Sequence, residues 1–151
     1  MKTNEFDLLC WFDGSCGPIN PGGTGGWGYL IKNVDGNVLD TASGQLPANP
    51  RMTNNVAEYH AVANLFEAID RLRISRGWTV RVYGDSQMVI RQLTGKIRAR
   101  KGCYLAEYKR ARQNLIALAT KQGVLIDLVW IPREENSEAD ALSTSRSLSR
   151  V

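Results

Sequence analysis

Four acidic residues that lie far apart in the chain have the types and settings expected of one shared site. They are Asp13 in FDGS, Glu58 in NNVAEYHA, Asp85 in YGDSQ and Asp140 in ENSEADAL. Carboxylates that converge on one point repel each other unless positive charge lies between them, and hard oxygen ligands suit Mg²⁺ or Mn²⁺. The sequence therefore indicates a metal-dependent enzyme that acts on phosphates.

The segments around these four residues predict a sheet crossed by helices. Short apolar runs with alternating or aromatic-rich patterns predict strands over residues 7–13, 27–34, 37–44, 79–84 and 124–131. Helical spacing of apolar side chains predicts helices over residues 55–73, 86–93 and 104–121, and a last one from residue 137. The resulting order is βββαβααβα. We expect an α/β fold with a five-stranded mixed sheet, three antiparallel strands followed by two parallel ones.

The strand ends predict where two of the carboxylates lie. Asp13 is expected to end the first strand, and Asp85 follows the fourth strand directly, with its side chain also able to cap the next helix. If these strands are parallel neighbours, both carboxylates lie at the same carboxyl edge of the sheet, where α/β proteins bind ligands. The pair Asp35-Gly36 predicts a type I′ hairpin turn between the second and third strands.

Length, cysteines and hydropathy predict one cytoplasmic domain. A chain of 151 residues with 43% hydrophobic residues has enough apolar surface for one core, so we expect a single domain over residues 1–151 that acts as a monomer. Residues 141–151 are expected to form either a docked helix or a flexible tail. Three cysteines without CxxC spacing indicate neither a disulfide framework nor a zinc site. No stretch has the length of a membrane span or the form of a signal peptide.

Positive charge is concentrated in the second half of the chain. The formal net charge is +4, but residues 1–70 hold 3 Lys/Arg against 8 Asp/Glu, whereas residues 71–151 hold 16 against 7. Between residues 94 and 113 a single acidic residue, Glu107, accompanies a dense set of cations: Lys96, Arg98, Arg100, Lys101, Lys109, Arg110 and Arg112. Such density favours a polyanionic partner, although a solvated helix face would also explain it.

Four segments in the right order give the chain a specific resemblance. DGSCGPINPGGTGGWG, TNNVAEYHAV, GDSQMVIRQL and WIPREENSEADALS are similar to the signature segments of the type 1 ribonuclease H family, and they span nearly the whole chain. Each carboxylate alone also fits a turn, a capping box, a helix cap or a surface position. If these local explanations were correct, four unrelated segments would match the family's motifs, in the family's order, by chance. The resemblance therefore favours a ribonuclease H fold.

The resemblance implies an endonuclease that cuts the RNA strand of RNA/DNA hybrids and leaves 5′-phosphate and 3′-hydroxyl ends. The family's catalytic, metal-ligating carboxylates correspond to Asp13, Glu58, Asp85 and Asp140, which would hold two Mg²⁺ ions, with Mn²⁺ as a possible substitute. Asp13 would bridge both ions, and Glu58 would also contact the 2′-hydroxyl next to the cut. Two ions about 4 Å apart can hold the scissile phosphate and activate a water molecule.

The resemblance also implies a set of substrate contacts. Neutral amides can donate to and accept from 2′-hydroxyls in a hybrid's minor groove. Those at matching positions are Asn20, Asn54, Asn55 and Gln87. Arg51 and Thr53 resemble the pocket that grips a phosphate of the uncut DNA strand. The cations Lys96, Arg98, Arg100 and Lys101 would attract the hybrid from the segment TGKIRARKG.

The chain departs from the best-known bacterial pattern in two places. Many relatives carry a histidine in a loop shortly before the last aspartate, whereas the only histidine here is His60, inside the first helix. Arg133 is the nearest candidate to replace it. The chain also lacks the extra helix and basic loop that some relatives insert, so it is similar to the compact variant without this basic protrusion.

Two other functions fit parts of the pattern. A nuclease of the same fold that acts on DNA alone would share the carboxylates, but the asparagines of NNVAEY favour an RNA-containing substrate. A non-catalytic module that binds hybrids would be expected to have lost a carboxylate, and all four are present.

Overall fold

A computed structural model of the chain describes residues 6–144 and confirms the expected order of elements. The strands are β1 (Leu8–Gly17), β2 (Thr24–Asn33), β3 (Val38–Leu46), β4 (Thr79–Gly84) and β5 (Leu125–Trp130). The helices are α1 (Asn54–Arg71), α2 (Gln87–Leu93), α3 (Leu105–Thr120) and α4 (Ser137–Ser143), with a 3₁₀ turn over Arg133–Glu135 between β5 and α4.

The five strands form one mixed sheet in the spatial order β3-β2-β1-β4-β5. The first three strands pair antiparallel as a meander, and β4 then pairs parallel with both β1 and β5. Parallel neighbours need crossover connections, which α1 supplies between β3 and β4, and α2 and α3 supply between β4 and β5. The predicted fold class is therefore confirmed.

Helix α1 builds the core against the sheet. The side chains that recur at helical spacing, Tyr59, Val62, Phe66 and Ile69, are fully buried, as the periodicity predicts. They pack in one cluster with alternate residues of β1, among them Phe12. Burying each such side chain contributes roughly 1.5–3 kcal/mol, so α1 is held firmly where it carries Glu58 to the sheet.

The structure corrects the expected end of the first strand. Asp13 does not end β1, because β1 continues to Gly17 through its pairing with β2. The parallel pairing of β1 with β4 stops earlier, at Trp11 and Tyr83. The two strands therefore separate two residues before Asp13 and Asp85, and this split creates the open edge that the strand ends were expected to provide.

The structure also corrects or refines the expected turn between β2 and β3 and the expected cap of α2. The hairpin between β2 and β3 is not a type I′ turn, because Gly36 takes a positive φ of 84° and Asp35 does not. The side chain of Asn33 accepts hydrogen bonds from the backbone N–H groups of Asp35 and Asn37 and so closes this loop. Ser86 rather than Asp85 caps α2, which leaves the Asp85 carboxylate available to the site.

The last described helix is docked on the sheet. Helix α4 packs against β1 and β2. A Cβ atom at Gly28 would lie only 2.4 Å from Cβ of Leu142, so glycine permits the close approach. Residues 141–143 therefore belong to a helix, and the rest of the expected tail, residues 145–151, lies outside the described residues. Within residues 6–144, none of the helices is long and apolar enough to cross a membrane.

Candidate active site

Three of the four predicted carboxylates meet at the split between β1 and β4. Asp13 comes from β1, Glu58 from α1 and Asp85 from the residue after β4, and one ligand oxygen of each lies within 4.8 Å of the others. Gly14 permits this meeting, because a Cβ atom there would lie 2.2 Å from the backbone nitrogen of Glu58. Any larger residue at this position would push α1 and its carboxylate away from the sheet.

The fourth carboxylate, Asp140, reaches the same group from α4. After burial and the charge of Asp85, its carboxylate is a further neighbour that raises the pKa of Asp13. Ser143, less than one turn further along α4, donates a hydrogen bond of 3.1 Å to Oδ2 of Asp13. The helix thus approaches Asp13 through two side chains, while Asp140 itself lies outside the set of three carboxylates whose oxygens are within 4.8 Å of one another.

Burial and mutual repulsion perturb the acidity of this cluster. Burial raises the pKa of the Asp13 carboxyl to about 7, and the neighbouring charge of Asp85 and the contact with Asp140 act in the same direction. Burial also raises the pKa of Glu58 well above its ordinary value, with the charges of Asp13 and Asp85 adding to the shift. The protein alone does not supply enough positive charge to keep these groups ionised.

The donor set fits a divalent cation. Oε2 of Glu58 and Oδ1 of Asp140 are buried and have no hydrogen-bond partner among residues 6–144, although the guanidinium of Arg133 lies 3.7 Å from the Asp140 oxygen. Buried carboxylate oxygens without partners are costly unless a charge or a donor meets them. All four side chains offer hard oxygen ligands, so a hard divalent cation would satisfy the orphaned oxygens and reverse the pKa shifts of Asp13 and Glu58.

Two polar side chains that the sequence analysis did not single out hold the carboxylates in place. Asn136 is 1% exposed, and its Nδ2 donates to the carbonyl of Phe12 at 2.9 Å and to Oδ2 of Asp85 at 3.1 Å. Ser143 is equally buried and supports Asp13. Their only sequence signal is their place in the same ENSEADALS segment as Asp140, because their contacts arise from the packing of α4.

A polar cleft of about 380 Å³ opens onto the carboxylates. Asn20, Asn54 and Arg133, all predicted from the sequence, line it together with Ser15 and Cys16. The side chain of Asn20 donates to that of Asn54 at 2.9 Å, which joins the loop after β1 to the start of α1. Arg133 is 78% exposed, and its guanidinium lies 3.7 Å from Oδ1 of Asp140.

The remaining predicted contact residues lie around this cleft but do not line it. Thr53 caps α1, since its hydroxyl accepts from the backbone of Val56, and Arg51 lies in the exposed turn before it. Asn55 is half-buried in the first turn of α1. Gln87 is exposed and lines a second groove with Lys96. Arg98, Arg100 and Lys101 are exposed, like Lys96, in residues 95–104, which we call the basic loop.

His60 faces α3 and takes no part in lining the cleft. Its Nδ1 pairs with Oε2 of Glu107 at 2.5 Å, and its ring lies against that of Trp27 at 5.3 Å between centroids. Glu107 also pairs with Arg110 at 3.3 Å. The acidic residue of the basic segment therefore has its charge compensated, and the structure is consistent with the expectation that His60 is a helix residue.

The family and one curated relative agree with this arrangement. Residues 12–146 match the family described as reverse transcriptase-like. The bifunctional protein Rv2228c of Mycobacterium tuberculosis is 34% identical over 125 residues, which cover 82% of this chain and 31% of that protein. This chain therefore corresponds to less than a third of the length of that relative.

Solved structures resemble the whole domain. RNase H1 from the halophilic archaeon Halobacterium salinarum superimposes with a TM-score of 0.77 at 26% identity, and the match covers 95% of this chain and 98% of that one. LC11-RNase H1, solved in complex with an RNA/DNA hybrid, gives a TM-score of 0.77 at 25% identity over 93% of this chain and 99% of that one. The chain belongs to the reverse transcriptase-like family, as a member of its type 1 ribonuclease H group.

Proposed function

We propose that this chain is an endonuclease that hydrolyses the RNA strand of RNA/DNA hybrids and leaves 5′-phosphate and 3′-hydroxyl ends. The observation that carries the proposal is the cluster of Asp13, Glu58 and Asp85, whose oxygens lie within 4.8 Å of one another at the floor of a polar cleft. The likeness to LC11-RNase H1, which was solved with a hybrid, supports this substrate. A chain that had kept only hybrid binding would have no need of this buried acidic cluster.

The cofactor in this proposal is a pair of divalent cations, Mg²⁺ with Mn²⁺ as a substitute. Asp13, Glu58, Asp85 and Asp140 would hold them, and the unpartnered oxygens of Glu58 and Asp140 support this assignment. When bound, the two ions would position the scissile phosphate, lower the pKa of the attacking water and stabilise the leaving 3′ oxygen. Asp13 has Glu58, Asp85 and Asp140 as its charged neighbours, so it would share in holding the ions with each of them.

The protein's own groups then have distinct roles. Asn136 orients the Asp85 carboxylate by donating to its Oδ2, and Ser143 does the same for Asp13. Glu58 lies at the start of α1 beside Asn54, so it can contact a 2′-hydroxyl as well as a cation. The Asn20–Asn54 hydrogen bond fixes two amides at the cleft wall, where a minor groove would expose 2′-hydroxyls.

The outer contacts of the proposal surround this centre. Arg51, Thr53 and Asn55, at the start of α1, would hold a phosphate of the DNA strand with their side chains and the helix's free N–H groups. Gln87 would contact the minor groove next to Asp85. The basic loop would attract the hybrid by releasing its counterions, since Lys96, Arg98, Arg100 and Lys101 are all exposed.

Arg133 takes the place of the loop histidine in this proposal. It lines the cleft, and its charge lies 3.7 Å from Asp140 while most of the side chain is in solvent. The planar fork of N–H donors on a guanidinium at this position can orient a water or a phosphate oxygen. We therefore expect the residue to assist product departure.

The variant Asp85→Asn tests the proposal. It keeps the shape of the side chain but removes one charge from the cluster, so Mg²⁺-dependent cleavage of a hybrid should fall by more than a hundredfold while hybrid binding is retained. Asp127→Asn is the matched control, since Asp127 lies on β5 in a surface pair with Arg81. Near-normal turnover by Asp85→Asn would exclude this site.

Substrate comparison separates the proposal from its alternatives. A labelled hybrid, double-stranded RNA and double-stranded DNA of one sequence should be incubated with Mg²⁺ and with Mn²⁺ in parallel. Cleavage restricted to the RNA of the hybrid supports the proposal, whereas cleavage of duplex DNA favours a DNA nuclease of the same fold. Binding without cleavage in either metal favours a non-catalytic module.

The proposal also includes a monomer that acts in the cytoplasm as one domain over residues 1–151. Cys10, Cys16 and Cys103 are free thiols in the structure. Sedimentation of the purified chain and fractionation of the cells that produce it would test these two points.

A further inference from the structure

A second groove lies beside the proposed active site, between α2 and β5. It has a volume of about 310 Å³, and its walls include the apolar side chains of Ile90 and Leu128 and the ring of Trp130. Arg91 and Lys96 stand at its rim, and none of the residues that line it is acidic. The groove thus combines an aromatic surface with positive charge and contains no group that would repel a phosphate.

Trp130 is held as a fixed platform at this groove. Its side chain is 42% exposed, which is unusual for so large an apolar ring at the end of a strand. The indole Nε1–H donates to the backbone carbonyl of Asp85 at 3.0 Å. The orientation of the ring is therefore tied to the residue that we assign to the metal site, and this hydrogen bond links the groove to the cleft that Asp85 lines.

The cations at the rim are positioned by the backbone. The N–H groups of residues 96 and 97 donate to the carbonyl of Arg91 at 2.9 and 3.2 Å, which holds Lys96 close to the end of α2. Neither Arg91 nor Lys96 forms an ion pair within residues 6–144. Both charges are exposed and available to an anionic ligand.

We propose that this groove binds an unpaired nucleotide of the RNA strand, with its base stacked on Trp130 and its phosphates at Arg91 and Lys96. Aromatic rings flanked by cations bind single-stranded nucleic acid in this way, with little dependence on sequence. The strand that passes Asp85 is the one that is cut, so the RNA is the strand that reaches the groove. This inference rests on the proposed function and adds a preference for hybrids whose RNA extends beyond the duplex.

Binding to four hybrids that differ only in their ends tests the proposed role of the groove. One hybrid has flush ends, and two others carry three unpaired nucleotides on the RNA, at the 5′ end or the 3′ end; a fourth carries them on the DNA. Affinity is measured by fluorescence anisotropy with EDTA present, so that no cleavage occurs. We expect one of the RNA extensions to strengthen binding roughly five- to hundredfold, the range given by one stacked base, and the DNA extension to add nothing.

Three variants separate the groove from the rest of the molecule. Trp130→Ala should abolish the gain from the RNA extension, Trp130→Phe should keep most of it, and Arg91→Ala should reduce it without any change in the fold. Trp78→Ala is the matched control, because Trp78 is also a partly exposed tryptophan but precedes β4 at the opposite end of the sheet. It should retain the full gain.

The outcomes distinguish the groove from the function. Equal affinity of the unmodified chain for flush and extended hybrids overturns the proposal that the groove binds unpaired RNA. A loss of affinity in Trp130→Ala and Arg91→Ala that is the same on all four substrates also overturns it. Cleavage of the flush hybrid with Mg²⁺ leaves the proposed function standing in either case. A chain that cleaves none of the four substrates overturns the proposed function and the groove with it.

Discussion

At the scale of single residues, the buried carboxyls of Asp13 and Glu58 determine how the metal-free protein responds to pH. The pKa of Asp13 is raised to about 7 in the fold, so between about pH 4 and 7 the folded state holds a proton that the unfolded state has lost. The contribution of this group to stability is therefore present below pH 4 and is lost as the pH rises through 7.

Denaturant titrations with EDTA at pH 5 and pH 8 measure this effect. The free energy of unfolding should fall by on the order of 2 kcal/mol between these values, since one pKa unit corresponds to about 1.4 kcal/mol. Asp13→Asn should remove the part of the difference that Asp13 contributes and leave the part due to Glu58, whose pKa is also raised. Mg²⁺ should restore stability at pH 8 in the unmodified chain. Asp35→Asn, at an exposed carboxylate in the hairpin, serves as control. Equal pH dependence in Asp13→Asn and the unmodified chain would contradict the assignment.

Asn136 gives a second prediction at this scale. Asn136→Ala removes the donor to Asp85 and to the carbonyl of Phe12, so the free energy of unfolding should fall by about 1–3 kcal/mol. The turnover number should also fall by roughly 10- to 100-fold, as it does when residues that orient metal ligands are removed.

The matched control for Asn136 is Asn114→Ala. The Asn114 amide likewise donates to one backbone carbonyl, of Ala63, and to one carboxylate, of Glu67, but between α1 and α3. It should lose comparable stability and keep its turnover number when both are measured well below the melting temperature. If the two variants lose activity equally, Asn136 has a merely structural role.

The acidic residues themselves could be predicted from the sequence, because each lies in a local pattern that the family shares. The residues that hold them could not. Ser143 and Asn136 act through contacts more than 120 residues apart in the chain, with Asp13 and Phe12, and no local pattern specifies such contacts.

At the scale of elements, a chain of hydrogen bonds joins α1 to the basic loop. The hydroxyl of Tyr59 pairs with Oε1 of Gln92, the Nε2 of Gln92 donates to the hydroxyl of Tyr104 at 3.1 Å, and that hydroxyl accepts from the backbone N–H of Arg100 at 3.2 Å. The rings of Tyr59 and Tyr104 also stack, with centroids 5.6 Å apart. The basic loop is thereby fixed to the helix that carries Glu58.

Tyr104→Phe tests this link. It keeps the stacked ring but removes the acceptor for both Nε2 of Gln92 and the N–H of Arg100. The loop should lose its fixed position, and the KM for hybrid should rise by about three- to tenfold, which corresponds to the one hydrogen bond that holds the loop. The turnover number should stay within twofold, because the carboxylates are not touched. Tyr108→Phe is the control, since that ring also packs against Tyr59, edge-on. A fall in turnover number without a change in KM would contradict the link.

The types and order of the elements followed from periodicity, whereas their ends did not. The end of β1 was misplaced because β2 extends it beyond the residue where apolar alternation stops. The hairpin turn was wrong because the side chain of Asn33 closes a longer loop, in which glycine alone needs a positive φ. At each end of a helix or strand, several neighbouring residues have the types expected of a cap or a turn. Pairing and packing with distant parts of the chain determine which of them ends the element.

At the scale of the whole molecule, charge is separated between the acidic cleft and the basic loop. Replacing Lys96, Arg98, Arg100 and Lys101 by alanine should weaken hybrid binding most at low salt. The slope of log K against log salt should become less steep by up to about 3.6, because each phosphate contact contributes about 0.9.

Lys121→Ala controls for net charge. Lys121 follows the last residue of α3, a helix of 16 residues whose first turn lies beside the basic loop, so the two ends are about 24 Å apart. Its removal should leave the slope unchanged in salt titrations of hybrid binding. An unchanged slope in the fourfold variant would place the substrate path elsewhere.

The fold class and the family could both be predicted because four motifs in order constrain one topology. The groove at Trp130 could not, since it arises where α2 meets β5, which are separated by the whole of α3. A sequence pattern predicts which side chains of one helix or strand are buried. A groove between a helix and a strand depends on how the two pack against each other, which the pattern of neither one specifies.

The distances along the chain between paired strands lead us to expect an order of folding. The meander of β1, β2 and β3 pairs close neighbours, whereas β1 and β4 pair residues about 70 positions apart, so we expect the second half of the sheet to join later. Asp13 and Asp85 approach each other only at that step, and their repulsion opposes it. A divalent cation that binds the assembled cluster would therefore slow unfolding more than it speeds refolding. The site would thus give the protein kinetic stability against unfolding as well as activity.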